Sequence, residues 1–489
     1  MKSTTIKSFL GILIFGVSIC LLVQCDNAQQ EPEVTEEEPT ASSCDDRYAS
    51  FEGNIPPKSE YEGPLYYLGQ KWPKTLPVQT DKPWSKFESL NADNVKEYML
   101  TMRNYVYKDL IPADFRMDQV DWYTIPFQPR EAIRGMYDGN NQPALSYGAE
   151  QKIEAVNFTT GFYNNVGGYT IGQVFGQCDR DTLDPNVTAE SVMFNEGTIV
   201  IKLAMTSLPV EQAPILAGAY EWQIYADTST REPDSKISRT APNPGQEYNP
   251  VVTNVRLMQM DIILKDSKLG GEPGWVFGTL AYDNNVTAEE AKANGWDGNE
   301  NTLAFYKMVP VGAQNGNDPG ITGEDIENGA TLKETWLSPD IPNYALPLLG
   351  WAGRLSGPID GAQGNINSVN FEKDPYHKGA NSSCMSCHGA AMYNIKDLHA
   401  NDSVFNVPLL LPVGPGRGTQ KAKLAYMQNN PGSVGYCTTD DPYWAELGCA
   451  PTIGKDWIGL DYDYVMFKGI YHAQLQGANK PRPTVETFH

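Results

Sequence analysis

Between Val255 and Lys265 the chain alternates in character. Met258, Met260, Ile262 and Leu264 fall on one side, and Gln259, Asp261 and Lys265 on the other. A period of two belongs to a strand with one buried and one polar face. Other stretches read the same way. Thr198 to Leu203 is rich in β-branched residues, Tyr220 to Ala226 alternates, and GWVFGTLAY from Gly274 to Tyr282 is an aromatic strand. Clusters such as NPGQEYNP and NGNDPG punctuate these runs as turns. One helix is legible earlier, where Val95, Met99, Met102 and Val106 recur at steps of three and four after Asn91. No internal repeat of fixed period is present. Residues 56–360 are therefore expected to form a mainly β domain with helical additions, a sandwich or related architecture. The Gly- and Pro-containing GPIDGAQGN, Gly357 to Asn365, reads as a linker or long loop that sets off the region 361–489.

The N-terminus reads as an export signal. Lys2 and Lys7 precede an apolar run from Phe9 to Val23, too short for a confident membrane span. The run ends in Leu22-Val23-Gln24-Cys25, which resembles a bacterial lipoprotein cleavage box, with Cys25 as the lipidated first residue. Gln24 departs from the small residue usual before that cysteine, so an ordinary signal peptide cut nearby is the alternative. Residues 26–55 hold EPEVTEEEPT, Asp45 and Asp46, with almost no apolar residue before Tyr48. Like charges and prolines keep such a segment extended, as a tether would be.

Charge excludes one class of partner. With 60 acidic against 37 basic side chains and a formal net charge of −23, the chain should repel nucleic acid and anionic lipid surfaces. The same charge suits a basic redox partner or plain solubility.

The chain has 8 cysteines: Cys20, Cys25, Cys44, Cys178, Cys384, Cys387, Cys437 and Cys449. Cys20 leaves with the signal and Cys25 takes the lipid. Cys437 and Cys449, with Pro442 and Gly448 between them, suit a local disulfide in an exported chain. Cys44 and Cys178 then remain by elimination. All four could equally be buried thiols acting as small apolar groups.

The most specific signal is Cys384-Met385-Ser386-Cys387-His388. Two thiols separated by two residues, with an imidazole directly after the second, fit covalent attachment of a haem. The sulfurs form thioethers with its vinyl groups and the histidine faces the iron. A thioredoxin-like redox pair would want a βαβ context, which the sequence lacks. A zinc site would want a second pair at ligand spacing, and Cys437 and Cys449 stand too far apart for that.

CMSCH and the export signal together resemble the c-type cytochromes. GFYNNVGGYTIGQV, GWVFGTLAYD and GWAGRLSGP resemble stretches of a family of exported bacterial mono-haem proteins, over residues 120 to 480. The resemblance implies one covalent haem c held by Cys384 and Cys387, with His388 as its proximal ligand. It also implies maturation outside the cytoplasm. The expected fold class is α+β: a mainly β, sandwich-like N-terminal domain at 56–360, then a mostly helical, cytochrome c-like haem region at 361–489. Ahead of these stand the signal, 1–25, and the acidic tether, 26–55.

The ligand on the other side of the iron decides the chemistry. Methionine gives a high-potential carrier, a second histidine a lower one, and an open site permits ligand binding or peroxide chemistry. Met392, four residues after His388, is expected on the same helical face and so on the proximal side. Met427 follows the loop Leu409 to Gly418, rich in glycine and proline, which can cross to the far side of the haem. Met466 and His472 lie in DYDYVMFKGIYHA, expected to be a closing amphipathic helix with Leu460, Tyr464, Phe467 and Ile470 on one side. Met427 is the expected sixth ligand; Met466, His472, His399 and no protein ligand are the alternatives.

The expected function is single-electron transfer in the bacterial cell envelope. The protein would be held to a membrane through the lipid on Cys25, face the periplasm or the cell exterior, and act with a redox partner protein. One alternative is a peroxidase-like haem oxidoreductase whose β domain forms a substrate pocket, for which Arg354 and Arg417 are candidate distal groups. Another is a ligand-binding β domain with an attached redox group. Asp297 and Asp318 sit in stretches that suit calcium loops or ordinary turns, and turns are favoured because neither follows the EF-hand spacing.

Overall fold

In the computed structural model the described residues are 48–51, 55–139, 144–145, 147–176, 185–229, 240, 248–271, 274–315, 335–342, 344–345, 384, 388–389, 391–398 and 456–477. The first strand is β1, Tyr137–Asp138. After it come β2 Asn157–Tyr163, β3 Ile199–Thr206, β4 Glu221–Ala226, β5 Val251–Lys265, β6 Trp275–Tyr282, β7 Met308–Asn315 and β8 Trp336–Leu337. They form one sheet in the order β1-β2-β3-β5-β6-β7-β8, with β4 pairing the start of the long β5. Every pairing is antiparallel.

The strands read from the sequence are thus present, with β5 starting at Val251 rather than Val255 and β3 running on to Thr206 rather than Leu203. The sandwich is not what they build. Among the described residues the eight strands make a single antiparallel sheet.

Helix α1, Val95–Leu110, covers one side. Its Val95, Met99, Met102 and Val106 are buried, as their spacing requires. Cross-strand partners share a face, so Phe162, Ile201, Ile262 and Gly278 form one row. Gly278 is the residue that lets Met99 of α1 come down onto this row, since a side chain there would meet the Met99 thioether. The opposite face carries a row of Tyr163, Val200, Ile263 and Phe277, and beside it a row of Gly161, Lys202, Asp261 and Thr279. Asp261 accepts from Thr279 Oγ1 at 2.8 Å and from Gln259 Nε2 at 2.7 Å.

Helix α2, Asn165–Phe175, follows β2 directly. Asn164 caps it by accepting from the Gly167 N–H at 3.1 Å. Shorter helices are α3 Ser267–Gly270, α4 Ala288–Ala293 and α5 Leu303–Tyr306. In the C-terminal region, β9 Met392–Asn394 and β10 Trp457–Gly459 form a two-stranded antiparallel sheet, and α6 spans Tyr464–Gly477. The mixed α and β content is as expected. The described part of 361–489 holds one long helix and a small sheet, so a mostly helical region is not what these residues display.

The side chains of α6 correct another expectation. Met466, Phe467, Ile470, Tyr471, His472, Ala473 and Leu475 are all buried, so the helix is enclosed on most sides and not amphipathic. Leu460 precedes the helix. The enclosure is closest at Gly469. A Cβ there would meet the β-branched methyl of buried Ile125, with the Pro126 carbonyl oxygen at 3.1 Å and Phe175 Cζ at 3.2 Å. Alanine in a helix interior normally gains about 1 kcal/mol over glycine. Gly469→Ala is instead expected to lose about 1–3 kcal/mol through overpacking, read as a lower midpoint in denaturant unfolding.

Candidate functional site

The site is approached through Cys384 and His388, each of which has helical backbone. Cys384 is 9% exposed and belongs to the main apolar cluster, while His388 is half-buried. Cys387 lies outside the described residues. The helical backbone gives way to a turn at Gly389, and the chain enters β9 at Met392. Met392 therefore does not share a helical face with His388. It pairs with Gly459 across the small sheet and is fully buried. The spacing of four misled because a glycine directly after the histidine ends the helix there.

The imidazole of His388 is held from two directions. Its ring centroid lies 5.0 Å from that of Phe277, on the polar-row face of the large sheet. Its Nδ1 lies 2.7 Å from the carbonyl oxygen of Tyr462. A carbonyl oxygen only accepts, so Nδ1 carries a proton in this contact.

Tyr462 reaches this position through unusual backbone. Asp461 has φ 51° and Tyr462 φ 65°, two consecutive non-glycine residues in the left-handed region. Each such residue costs about 1–2 kcal/mol, so something must hold them there. Asp461 supplies the hold. One carboxylate oxygen accepts from Lys265 Nζ at 2.7 Å and from Trp275 Nε1 at 3.0 Å; the other accepts from the Phe194 N–H at 3.0 Å. Lys265 and Trp275 are direct cross-strand partners on β5 and β6. The Lys265 and Asp461 side chains are 8% and 2% exposed. Burial pushes the Asp461 carboxyl up from its ordinary range, against the pull of the Lys265 ammonium.

Asp463 completes the segment. It accepts from Tyr163 Oη at 2.7 Å and from the Met466 N–H at 2.8 Å, which caps α6. Burial raises its pKa to about 6 despite those two donors.

The remaining candidates fall in several places. Met466 is fully buried in the core cluster. His472 is 3% exposed, with its ring 5.9 Å from that of Tyr471, and burial holds its pKa down to about 4. Asp297 accepts from the Asn299 N–H at 2.9 Å, the ordinary turn that was the favoured reading. Cys25, Cys44, Cys178, Asp318, Arg354, His399, Arg417, Met427, Cys437 and Cys449 lie outside the described residues. So do GPIDGAQGN and the loop Leu409 to Gly418. Among the described residues, no three or more His, Cys, Asp or Glu side chains gather as a metal cluster would, and no helix is long and apolar enough to cross a membrane.

Asp461, Tyr462, Lys265, Trp275 and Phe277 were not legible as site residues. Asp463 had a local signal, an Asx residue just ahead of an apolar helix. Lys265 read only as one of the polar residues of an alternating strand.

Set against known proteins, the chain matches no family model, no curated protein and no solved structure.

Proposed function

We propose that this chain is an exported haem c protein that transfers single electrons in the bacterial cell envelope. Cys384 and Cys387 would hold the haem through thioethers, and His388 would be one axial ligand. The observation that carries the reading is the contact between His388 Nδ1 and the Tyr462 carbonyl at 2.7 Å. It puts a ring proton on Nδ1, as in the neutral tautomer that ligates iron through Nε2, and hydrogen bonding at the far nitrogen orients such a ligand. Cys384, four residues back on helical backbone, fits the same arrangement.

When bound, the haem supplies a one-electron couple. The residues of this chain orient the ligand ring, with Phe277 against its side and Tyr462 behind it. Met427 would be the second protein ligand to its iron. Lipid on Cys25, followed by the acidic tether 26–55, would hold the protein at a membrane facing the periplasm or the cell exterior.

The test is the mature protein itself. Haem stain should coincide with the polypeptide on a denaturing gel, and the reduced protein should take up carbon monoxide slowly or not at all. Haem that extracts into acidified organic solvent would remove the covalent reading. Rapid uptake of carbon monoxide by the wild type would remove the methionine ligand and move the assignment to a haem oxidoreductase.

A further inference from the structure

We propose that Asp461, clamped by Lys265 and Trp275 of the large sheet, is a positioning residue that sets the hydrogen bond between Tyr462 and His388 and thereby tunes the iron. The inference rests on the haem reading above and adds a part of the molecule to it: the β sheet governs the electronic character of the ligand.

The geometry runs in one chain. Lys265 and Trp275 stand side by side on neighbouring strands and both bond the same oxygen of Asp461. Asp461 sits in left-handed backbone, and so does Tyr462, whose carbonyl oxygen receives His388 Nδ1–H. Two residues beyond Trp275 on the same strand, Phe277 packs on the His388 ring. The sheet therefore fixes both the imidazole and its acceptor against one strand, β6. Without the clamp, a non-glycine pair in this conformation relaxes toward the ordinary regions. The carbonyl would then turn from the ring.

The chemistry gives the direction. A hydrogen bond from the distal nitrogen makes the imidazole a stronger donor to the metal. Stronger donation stabilises the ferric state, so weakening the bond favours the ferrous state.

The decisive variant is Lys265→Met in the mature holoprotein, because two causes would move it in opposite senses. Removing a nearby positive charge, acting through space alone, favours ferric iron. Loosening the Asp461 turn favours ferrous iron. We expect the ratio of reduced to oxidised protein at a fixed ambient potential to rise about tenfold, a shift of about 59 mV for one electron. The His388 ring N–H resonance of the reduced protein should also move upfield as its bond weakens. Trp275→Phe deletes one donor without changing charge or breaking the ion pair, and should shift both readouts in the same sense by less. It also keeps the test open should Lys265→Met fail to fold.

Covalent haem is measured first in each protein, by haem stain. A wild type with no covalent haem sinks the underlying reading and this one with it. Full haem attachment, with potential and ring resonance unchanged in Trp275→Phe and in any Lys265→Met that folds, overturns the positioning role alone. So does a shift of Lys265→Met toward ferric iron.

Discussion

Cys384→Ala together with Cys387→Ala is expected to abolish haem staining of the polypeptide completely. Each thioether needs a sulfur, and no other cysteine lies at matching distance from His388. Loss of the covalent bonds is not expected to unfold the body. Cys384 is one small residue in an extensive apolar cluster, and trimming it to alanine costs on the order of 1 kcal/mol. The measurement is therefore double: haem stain on a denaturing gel, and far-ultraviolet circular dichroism of the same preparation. Absent stain with a retained β spectrum is the expected pair. Stain that persists in the double variant would mean that the group is held elsewhere.

The second large effect concerns Asp463. Its carboxyl is lifted from 3.8 to about 6 by burial, so the folded protein binds a proton there that the unfolded chain has already released. Folding is then most favoured at this group below about pH 4, and that advantage is lost as pH rises through about 6. The size is about 1.4 kcal/mol for each unit between the two values, or roughly 3 kcal/mol in all. Asparagine keeps an oxygen to cap α6 and removes the ionisation. Asp463→Asn should therefore be more stable than the wild type by about 1–3 kcal/mol at pH 7. The difference should shrink toward zero near pH 4. Urea unfolding at pH 4, 5, 6 and 7 reads both quantities, and a constant difference across that range would refute the assignment to Asp463. Tyr163, which donates to this carboxylate, has its own pKa raised by burial and keeps its proton throughout.

The two levels of the molecule were unequally legible. The alternation in β5 survives into the structure because a strand with one apolar face writes its periodicity into the sequence directly. Helix α1 did so for the same reason, at its own period. The sandwich failed because alternation reports that a face is covered, and not what covers it. Here α1 lies on one face, and the segment bearing His388 and Asp461 lies against the other. The polar residues on that second face were placed opposite the apolar ones, with no sign of what they meet. Lys265 shows why: a lysine at a strand end is usually wet, and its carboxylate partner lies 196 residues away. The motif at 384–388 stands out in the sequence because its residues are contiguous. The turn at 461–462 does not: Asp visits left-handed backbone more often than most residues, but without glycine a single Asp in the sequence does not mark such a turn, and Tyr462 gives no signal of it.

The clamp has a consequence for the order of events during maturation. Asp461 reaches Lys265 across 196 residues, and Asp463 reaches Tyr163 across 300. During synthesis the strands emerge first and can pair before the C-terminal segment exists. Closing the clamp brings the turn behind His388 into place and leaves Cys384 at the edge of a packed interior. An attachment apparatus needs both thiols accessible and the histidine mobile. On the haem reading, thioether formation thus belongs to the interval after the sheet has assembled and before residues 456–477 settle onto it. Docking of α6 would then act as a latch that closes over a finished cofactor site.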